Sequence, residues 1–573
     1  VWLFATPSSI KSLIQNSPIP PQDISLSIVE TETNRVVASH NANTVRKPAS
    51  VSKVMTTYAA LLQFGFGYRW ETGFYHTGRI KHGILEGDLY IKASGDPTLD
   101  TEDMESIAEK LEQQGIREIR GDLVIDRSHF SIGDSASAHF DAYPHDPYNA
   151  MPDALMFNER TSTVCITPSS GVSEKELEDP SYRLIDEIRY VNRACRGKYA
   201  WAGSRVDTSE RTPKLILSGE LSRHCKERKV CKVISKPYKA FYYAMKEALY
   251  VRDMRLSGEV KLRAVPKDVS KLFIHTSDTL ETILSTTSKE SNNVYARHLL
   301  LELGAARYGA PATIEKGRKA VRALIEQQVR CESRCEIDNG SGLSRSSLVT
   351  ARTLGEVLQS AYHRYGRRWM ETFSIAGVDG TLKKQFRGDA AYQKAWMKTG
   401  TLNRVKNISG YVENKEGNLY SVVILINSKK TRKYAFKLQK EIINWLAETE
   451  RAPAKNSDLQ PIASGEPKDD QSKSVQSNKV ASSKIHPKDV KALFYDDFYD
   501  NGKAQYYVQV NALSQYPTDL YLERIRQQGY RVEVFFNKGY KVQIGGYQSE
   551  KAARRALPGI RRKFNHRAFI VTR

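Results

Sequence analysis

Two serines, two lysines and an asparagine draw attention first, because they fall in three short motifs that follow one another in a set order. Ser50-Val51-Ser52-Lys53 comes first, Ser291-Asn292-Asn293 second and Lys398-Thr399-Gly400-Thr401 third. Ser50 and Lys53 lie three apart where an apolar-periodic run begins, so a helix would set both on one face. An amine beside a hydroxyl serves as general base when burial or neighbouring cations keep it neutral. The start of a helix adds positive potential for a developing oxyanion. Ser291 could relay a proton to a leaving amine, and the Asn293 amide could hold a peptide bond. Lys398 and the hydroxyls of Thr399 and Thr401 suit a terminal carboxylate, and Gly400 would let a substrate strand approach closely. The backbone N–H groups of Ser50 and Thr401 are natural oxyanion donors. Alone, each motif reads equally well as a turn or a surface strand. S-x-x-K even recurs at Ser8 to Lys11, where Pro7 denies it a helical setting. The order of all three is what carries the weight.

The elements that must position these groups are legible in outline. Ile24 to Val29 and Arg35 to Ala38 predict a hairpin. A helix opens at Pro48-Ala49-Ser50, runs through Leu62 and ends at Gly65 and Gly67. Further helices are predicted over Thr279 to Ser285, Val294 to Leu303, Pro311 to Gln328 and Ala435 to Leu446, with a strand over Leu419 to Ile426 before the last of them. Between residues 71 and 265, short β-rich runs such as Asp88 to Ile91, Gly121 to Ile125 and Lys214 to Leu217 alternate with turn residues. That texture predicts an inserted β-rich region of two lobes. The first domain is therefore discontinuous, residues 6–70 and 266–447. Residues 448–503 form a flexible linker rich in Ser, Lys, Pro, Asp and Gln, its aromatic stretch Asp489 to Asp500 leading into the next domain. In residues 504–573, strands at Tyr506 to Val510, Arg531 to Phe536, Lys541 to Ile544 and Ala568 to Val571 alternate with helices at Pro517 to Gln528 and after Ser549. The resulting βαββαβ order is ferredoxin-like.

With 573 residues, 40% of them apolar, the chain has the material for several cores, and its formal charge of +22 favours a polyanionic partner. No apolar run is long enough to span a membrane. The opening Val1-Trp2-Leu3-Phe4-Ala5 reads as the end of a signal peptide, with a short first strand as the alternative. Six cysteines suit a disulfide-permissive compartment. Cys331 with Cys335 and Cys225 with Cys231 close the shortest loops and are the pairs to expect, against buried free thiols as the alternative. The spacing does not suit zinc.

The three motifs, together with Ser94-Gly95-Asp96-Pro97-Thr98-Leu99, Asp338-Asn339-Gly340-Ser341-Gly342-Leu343-Ser344-Arg345 and Gly377-Val378-Asp379-Gly380-Thr381-Leu382, resemble the class C low-molecular-mass penicillin-binding proteins. These are serine D-alanyl-D-alanine carboxypeptidases and endopeptidases. The long gap between the first and second motifs fits the extra domains of that class. The resemblance covers Ile24 to Leu446 and implies an α+β fold, a β-lactamase/transpeptidase-like sheet flanked by helices. It implies Ser50 as acylated nucleophile, Lys53 as base and Ser291 as proton relay. Asn293, Lys398, Thr399, Gly400 and Thr401 would bind substrate, and no cofactor or metal is needed. The middle residue of the second motif is Asn292 where relatives often carry Asp. Family members recognise a diaminopimelate ammonium with groups from the inserted region, for which Asp141, Asp146 and Asp153 are the candidates, Asp146 foremost.

The last seventy residues resemble a SPOR domain, a module that binds glycan strands stripped of stem peptides. They carry 13 Lys and Arg against 4 Asp and Glu. Candidate glycan contacts are Tyr507, Gln509, Gln543 and Tyr547. An RNA-binding domain of the same topology would need an RNP1 pattern, which is missing, so nucleic acid is not expected. The implied protein is periplasmic, exported and septal, with stem peptides, glycan strands, β-lactams and division-machinery proteins as partners. Two rival readings are an inert wall-binding scaffold and a β-lactamase; the intact motif side chains oppose the first and the long insertion the second.

Overall fold

The computed structural model describes residues 9–133, 135–329 and 336–450, and beyond them the strands of the C-terminal region with single positions between. The opening apolar segment, the linker with its aromatic stretch, and Cys331 and Cys335 lie outside the described residues. The chain divides into two compact units, Val1–Gln460 and Pro461–Arg573.

In the first unit, six antiparallel strands form the central sheet, in the order Ser374–Ile375, Ala395–Leu402, Val405–Glu413, Leu419–Asn427, Ile24–Glu30, Val36–His40. Ile24–Glu30 is buried at every position, because helices cover both faces of the sheet. One face packs on Ile10–Asn16 and Thr431–Glu448 through Leu13, Leu438, Ile442 and Leu446. Against the other lie Lys53–Phe64 and Ala351–Met370, through Val54, Tyr58, Leu354 and Leu358. Within this apolar layer the Trp369 indole donates to the Tyr411 hydroxyl at 2.9 Å, which donates to the Leu358 carbonyl at 2.6 Å. The indole N–H and the phenol of this pair are thereby matched.

The segment carrying Ser50 differs in detail from the predicted helix. Ala49–Ser52 is a turn of 3-10 helix that hands over to an α-helix at Lys53–Phe64, ended by Gly65 at φ 74°. The later helices run Leu280–Lys289, Asn293–Tyr308, Ile314–Glu326 and Thr431–Glu448. The helical stretch Ala351–Met370, interrupted at Gly366 where φ is 60°, has no counterpart among the predicted elements.

The intervening region holds more helix than its sequence texture conveys. Thr101–Gln113 and Pro237–Val251 pack by Ile107, Leu111, Phe241 and Met245 on a five-stranded sheet, Val260–Leu262, Leu123–Asp126, Leu89–Lys92, Glu71–His76, Ser270–Thr276. A second lobe has two three-stranded sheets about one small core of Val164, Ile166, Leu215 and Leu217. In one, Val172–Lys175 and Arg228–Lys232 flank Ser162–Thr167. In the other, Arg183–Val191 and Gly203–Asp207 flank Lys214–Ser222.

This lobe corrects the cysteine pairing. Cys225 is bonded to Cys195, with Cα atoms 5.1 Å apart, and Cys165 and Cys231 are free thiols. Cys231 sits within a strand opposite Thr163, whereas Cys225 occupies the turn before it and meets the loop that carries Cys195. Short sequence spacing was no guide once strand pairing pulled the two apart.

The C-terminal unit is a four-stranded antiparallel sheet, ordered Val532–Phe536, Tyr540–Tyr547, Tyr506–Leu513, Phe569–Thr572. Val508, Val510, Val542 and Ile544 pack on Leu522, Ile525 and Ile560.

Candidate active site

The nucleophile turn is held from three sides. Ala49 has φ 50°, a strained value for a residue with a side chain. Gly342 lies so close that a Cβ on it would be 2.0 Å from the Ala49 carbonyl, at φ 76°, so only glycine fits there. A Cβ on Gly400 would meet the Pro48 carbonyl at 2.9 Å and the Ser50 and Val51 nitrogens at 3.0 Å. The missing side chain at Gly400 thus makes room for the backbone of the turn bearing Ser50.

Lys53 is fully buried, and its Nζ lies 3.0 Å from Ser50 Oγ, 2.7 Å from Asn293 Oδ1 and 2.6 Å from the Ser341 carbonyl. Burial pushes its pKa far below that of a free lysine, and the charges of Lys398 and Arg297 push it the same way. No carboxylate stands within ion-pairing distance of Lys53, Lys398 or Arg297 among the described residues. Lys398, also fully buried, donates to Ser291 Oγ and to the Thr399 carbonyl, both at 2.9 Å. Desolvation pushes its pKa down to about 7. Thr399 Oγ1 donates to Thr381 Oγ1 at 3.0 Å, and Lys406 Nζ donates to Thr401 Oγ1 at 3.1 Å.

Ser291 stands at φ 61°, in the left-handed region, just before the helix Asn293–Tyr308. Asn292, given no chemistry from sequence, caps that helix: its Oδ1 accepts from the Tyr295 N–H at 3.0 Å, and its Nδ2 donates to Glu159 at 2.9 Å. Asn293 Nδ2 donates to the Tyr148 carbonyl at 3.0 Å. The structure thus brings these residues together as two hydrogen-bonded sets, Lys53 with Ser50 and Asn293, and Lys398 with Ser291, joined by the short segment from Ser291 to Asn293. Glu159 and Tyr295 also line a neighbouring cleft of about 370 Å³. No group of three or more His, Cys, Asp or Glu among the described residues is placed to hold a metal.

Two participants escaped the sequence reading. The Ser341 carbonyl accepts from Lys53, a backbone role that no side-chain pattern reveals, although its Asp338 to Arg345 stretch was noticed. Arg297, one helical turn beyond Asn293, is buried, with Nε and Nη2 unpartnered and Nη1 directed to the Ala150 carbonyl. Burial pushes its pKa down to about 10.

The three acids proposed for an ammonium divide. Asp153 is buried and gripped by Arg127 at 2.8 and 2.6 Å, which makes it a structural anchor. Asp141 accepts from the Tyr148 hydroxyl and the Asn149 amide, fixing the loop that reaches Asn293. Asp146 is half-buried and paired with Lys232 at 2.5 Å. Of the glycan candidates, Tyr547 packs on the core of the C-terminal unit. Gln543 donates to Gln509 at 3.4 Å on the opposite sheet face, and Tyr507 and Gln543 are nearly covered.

A buried lysine pair beside a serine, with no carboxylate at ion-pairing distance among the described residues, sets a weakly protonated amine next to a hydroxyl. Residues 7–449 match the D-Ala-D-Ala carboxypeptidase 3 (S13) family. The chain belongs to this family. It is 30% identical over 417 residues to a D-alanyl-D-alanine carboxypeptidase of an Actinomadura species, a match covering 69% of this chain and 76% of the relative. It is 28% identical over 402 residues to D-alanyl-D-alanine carboxypeptidase DacB of Haemophilus influenzae, covering 70% and 84%. The crystal structure of penicillin binding protein 4 from Haemophilus influenzae superposes with a TM-score of 0.65 at 24% identity, over 77% of this chain and all of that one. Its complex with a β-lactam gives 0.61 at 25% identity, over 77% and 99%. Residues 502–572 match the SPOR domain. The S13 family member is therefore a serine-type D-Ala-D-Ala carboxypeptidase and penicillin-binding protein with the transpeptidase-like fold, rather than an inert scaffold.

Proposed function

We propose that this carboxypeptidase works through an acyl-enzyme on Ser50, with each remaining group in one role. The terminal D-alanine carboxylate of a stem peptide sits against Lys398, Thr399 and Thr401, and Asn293 holds the preceding peptide bond. Neutral Lys53 takes the Ser50 proton as Oγ attacks the D-alanyl carbonyl. The Ser50 and Thr401 N–H groups stabilise the oxyanion. Ser291 gives its proton to the departing D-alanine nitrogen and is reprotonated by Lys398, which in turn recovers the proton that Lys53 took from Ser50, so that Lys53 is neutral again. Water, deprotonated by Lys53, then releases the shortened peptide. β-Lactams occupy the same cleft and stop at the acyl stage. The observation that carries this reading is the 3.0 Å contact between Lys53 Nζ and Ser50 Oγ in a place without a carboxylate.

Purified muropeptides digested with wild type and Ser50→Ala test it, with products read by mass. Loss of one D-alanine from monomers marks carboxypeptidase action, and splitting of dimers marks endopeptidase action. A Ser50→Ala enzyme as active as wild type would refute the mechanism.

The protein is wall-associated and extracytoplasmic; our finer reading puts it in the periplasm at the septum. The SPOR unit, through Gln509 and Gln543, would hold peptide-stripped glycan. Residues 448–503, as a tether, would raise the local concentration of the enzyme on the wall. Asp146 remains the candidate for a substrate ammonium, which would have to displace Lys232.

A further inference from the structure

We infer that the disulfide-tied tip of the inserted lobe is a second binding surface for peptidoglycan, one that takes the anionic glycan–peptide strand away from the scissile bond. The inference rests on the reading of the protein as a wall enzyme. The bond between Cys195 and Cys225 joins two segments, residues 193–201 and 223–229, that hold seven Lys and Arg against a single acid, Glu227. Among the described residues no carboxylate pairs with Arg193, Arg196 or Lys226, whereas neighbouring Lys198 and Arg189 both pair with Glu220. The first of these segments ends at Trp201, 62% exposed. It is not a loose side chain. The Arg228 guanidinium lies 4.7 Å from its ring centroid and is itself fixed by the Ala200 carbonyl at 3.1 Å and by Cys195 Sγ at 3.3 Å.

A lone exposed aromatic ring is ordinary on a protein surface; Trp201 differs in being held by Arg228 on a segment rich in cations. Its open face offers the apolar side of a sugar ring a platform, and the unpaired cations suit carboxylates spaced along the same polymer. A stem-peptide-bearing glycan strand supplies both. An anionic membrane would satisfy the cations too, but insertion calls for several apolar side chains, and the tip exposes one. The lobe is also well placed: its strands Ser162–Thr167 and Arg228–Lys232 contribute Thr163 and Cys231 to the cleft beside the Asn293–Tyr308 helix. The lobe that carries the tip thus borders the cleft that neighbours the Ser50 site.

Hydroxyl-radical footprinting of the full chain tests this with soluble peptide-bearing sacculus fragments or with phosphatidylglycerol vesicles. Oxidation of Trp201 should fall several-fold with the fragments. Combined Trp201→Ala, Arg196→Ser and Lys226→Ser should weaken sedimentation with sacculi by about fivefold to tenfold, with the melting temperature and the disulfide reporting that the lobe is folded. Unchanged Trp201 oxidation overturns the inference, and so does protection by vesicles alone. Labelling of wild type by a fluorescent penicillin is measured alongside. Failure there counts against the enzyme reading and leaves the tip's protection to be judged by itself.

Discussion

The first unit uses Lys and Arg in opposite ways in its cleft and on its inserted lobe. In the cleft, Lys53, Lys398 and Arg297 are buried without carboxylates, and all three hold their protons less tightly than usual. On the lobe, Arg183, Arg189, Lys214 and Lys229 pair with carboxylates at the surface. Surface pairs of that kind contribute little to stability and nothing to reactivity. Burial without a counter-charge loosens a cation's hold on its proton, whereas pairing at the surface leaves it protonated. The sequence shows the same residue types in both places; only burial separates them.

The sharpest way to break this comparison is at the nucleophile. Ser50→Ala should abolish covalent labelling by penicillin, and Lys53→Met should slow acylation by about 10²–10⁴-fold, read by stopped labelling and mass. A labelling rate within a few-fold of wild type for Lys53→Met would mean that another group serves as base.

Arg297→Met comes next. Removing a nearby cation lets Lys53 hold its proton to higher pH, so the acid limb of the acylation profile should move to higher pH. Arg297→Lys should keep the limb near its wild-type position. A mere anchor for the 148–150 loop would lower the rate without moving the limb.

For Lys398 the pH windows follow from its pKa. In the unfolded chain it titrates near 10.5 and in the fold near 7, so between those values the unfolded state binds more protons. Stability contributed by this group therefore rises with pH across that window and is weakest below about 7. Lys398→Met should lose carboxylate binding yet raise stability near pH 7 by up to about 4 kcal/mol, with the difference fading toward pH 10. Denaturant titrations at several pH values measure it. In the wild type, kcat/KM should decline above pH 7 as free Lys398 loses its charge.

The smallest effect on chemistry belongs to the lobe. Replacing Cys195 and Cys225 by Ala frees a 30-residue separation. It should cost the lobe about 3–4 kcal/mol of local stability, seen as faster proteolysis between residues 193 and 228, with penicillin labelling slowed much less than by Lys53→Met.

How much of this was legible beforehand depended on whether a feature is carried by side-chain type or by the path of the backbone. Ser50, Lys53, Ser291, Asn293 and Lys398 announce themselves because hydroxyl, amine and amide chemistry cannot be supplied by other residue types. The Ser341 carbonyl could be supplied by any residue, so nothing marks it. Arg297 was hidden within an apolar helix, where a lone cation reads as a solvated face. The helix Ala351–Met370 escaped because His363, Arg364, Arg367 and Arg368 dilute its apolar stripe, though Thr350 caps it with a hydrogen bond to the Thr353 N–H at 3.1 Å. Asp153 looked like a loop acid because its partner Arg127 comes from 26 positions upstream.

One consequence of the central sheet concerns how the protein comes to exist. Ile24–Glu30 leaves the ribosome early, yet its ladder with Leu419–Asn427 cannot form until the chain has grown past the last strand. At about 5–20 residues per second, that is roughly 20–80 s during which the segment has only its hairpin partner Val36–His40 to pair with. The burden of keeping it from aggregating falls on whatever escorts the nascent polypeptide, and the reactive serine stays unassembled until its own synthesis is nearly over.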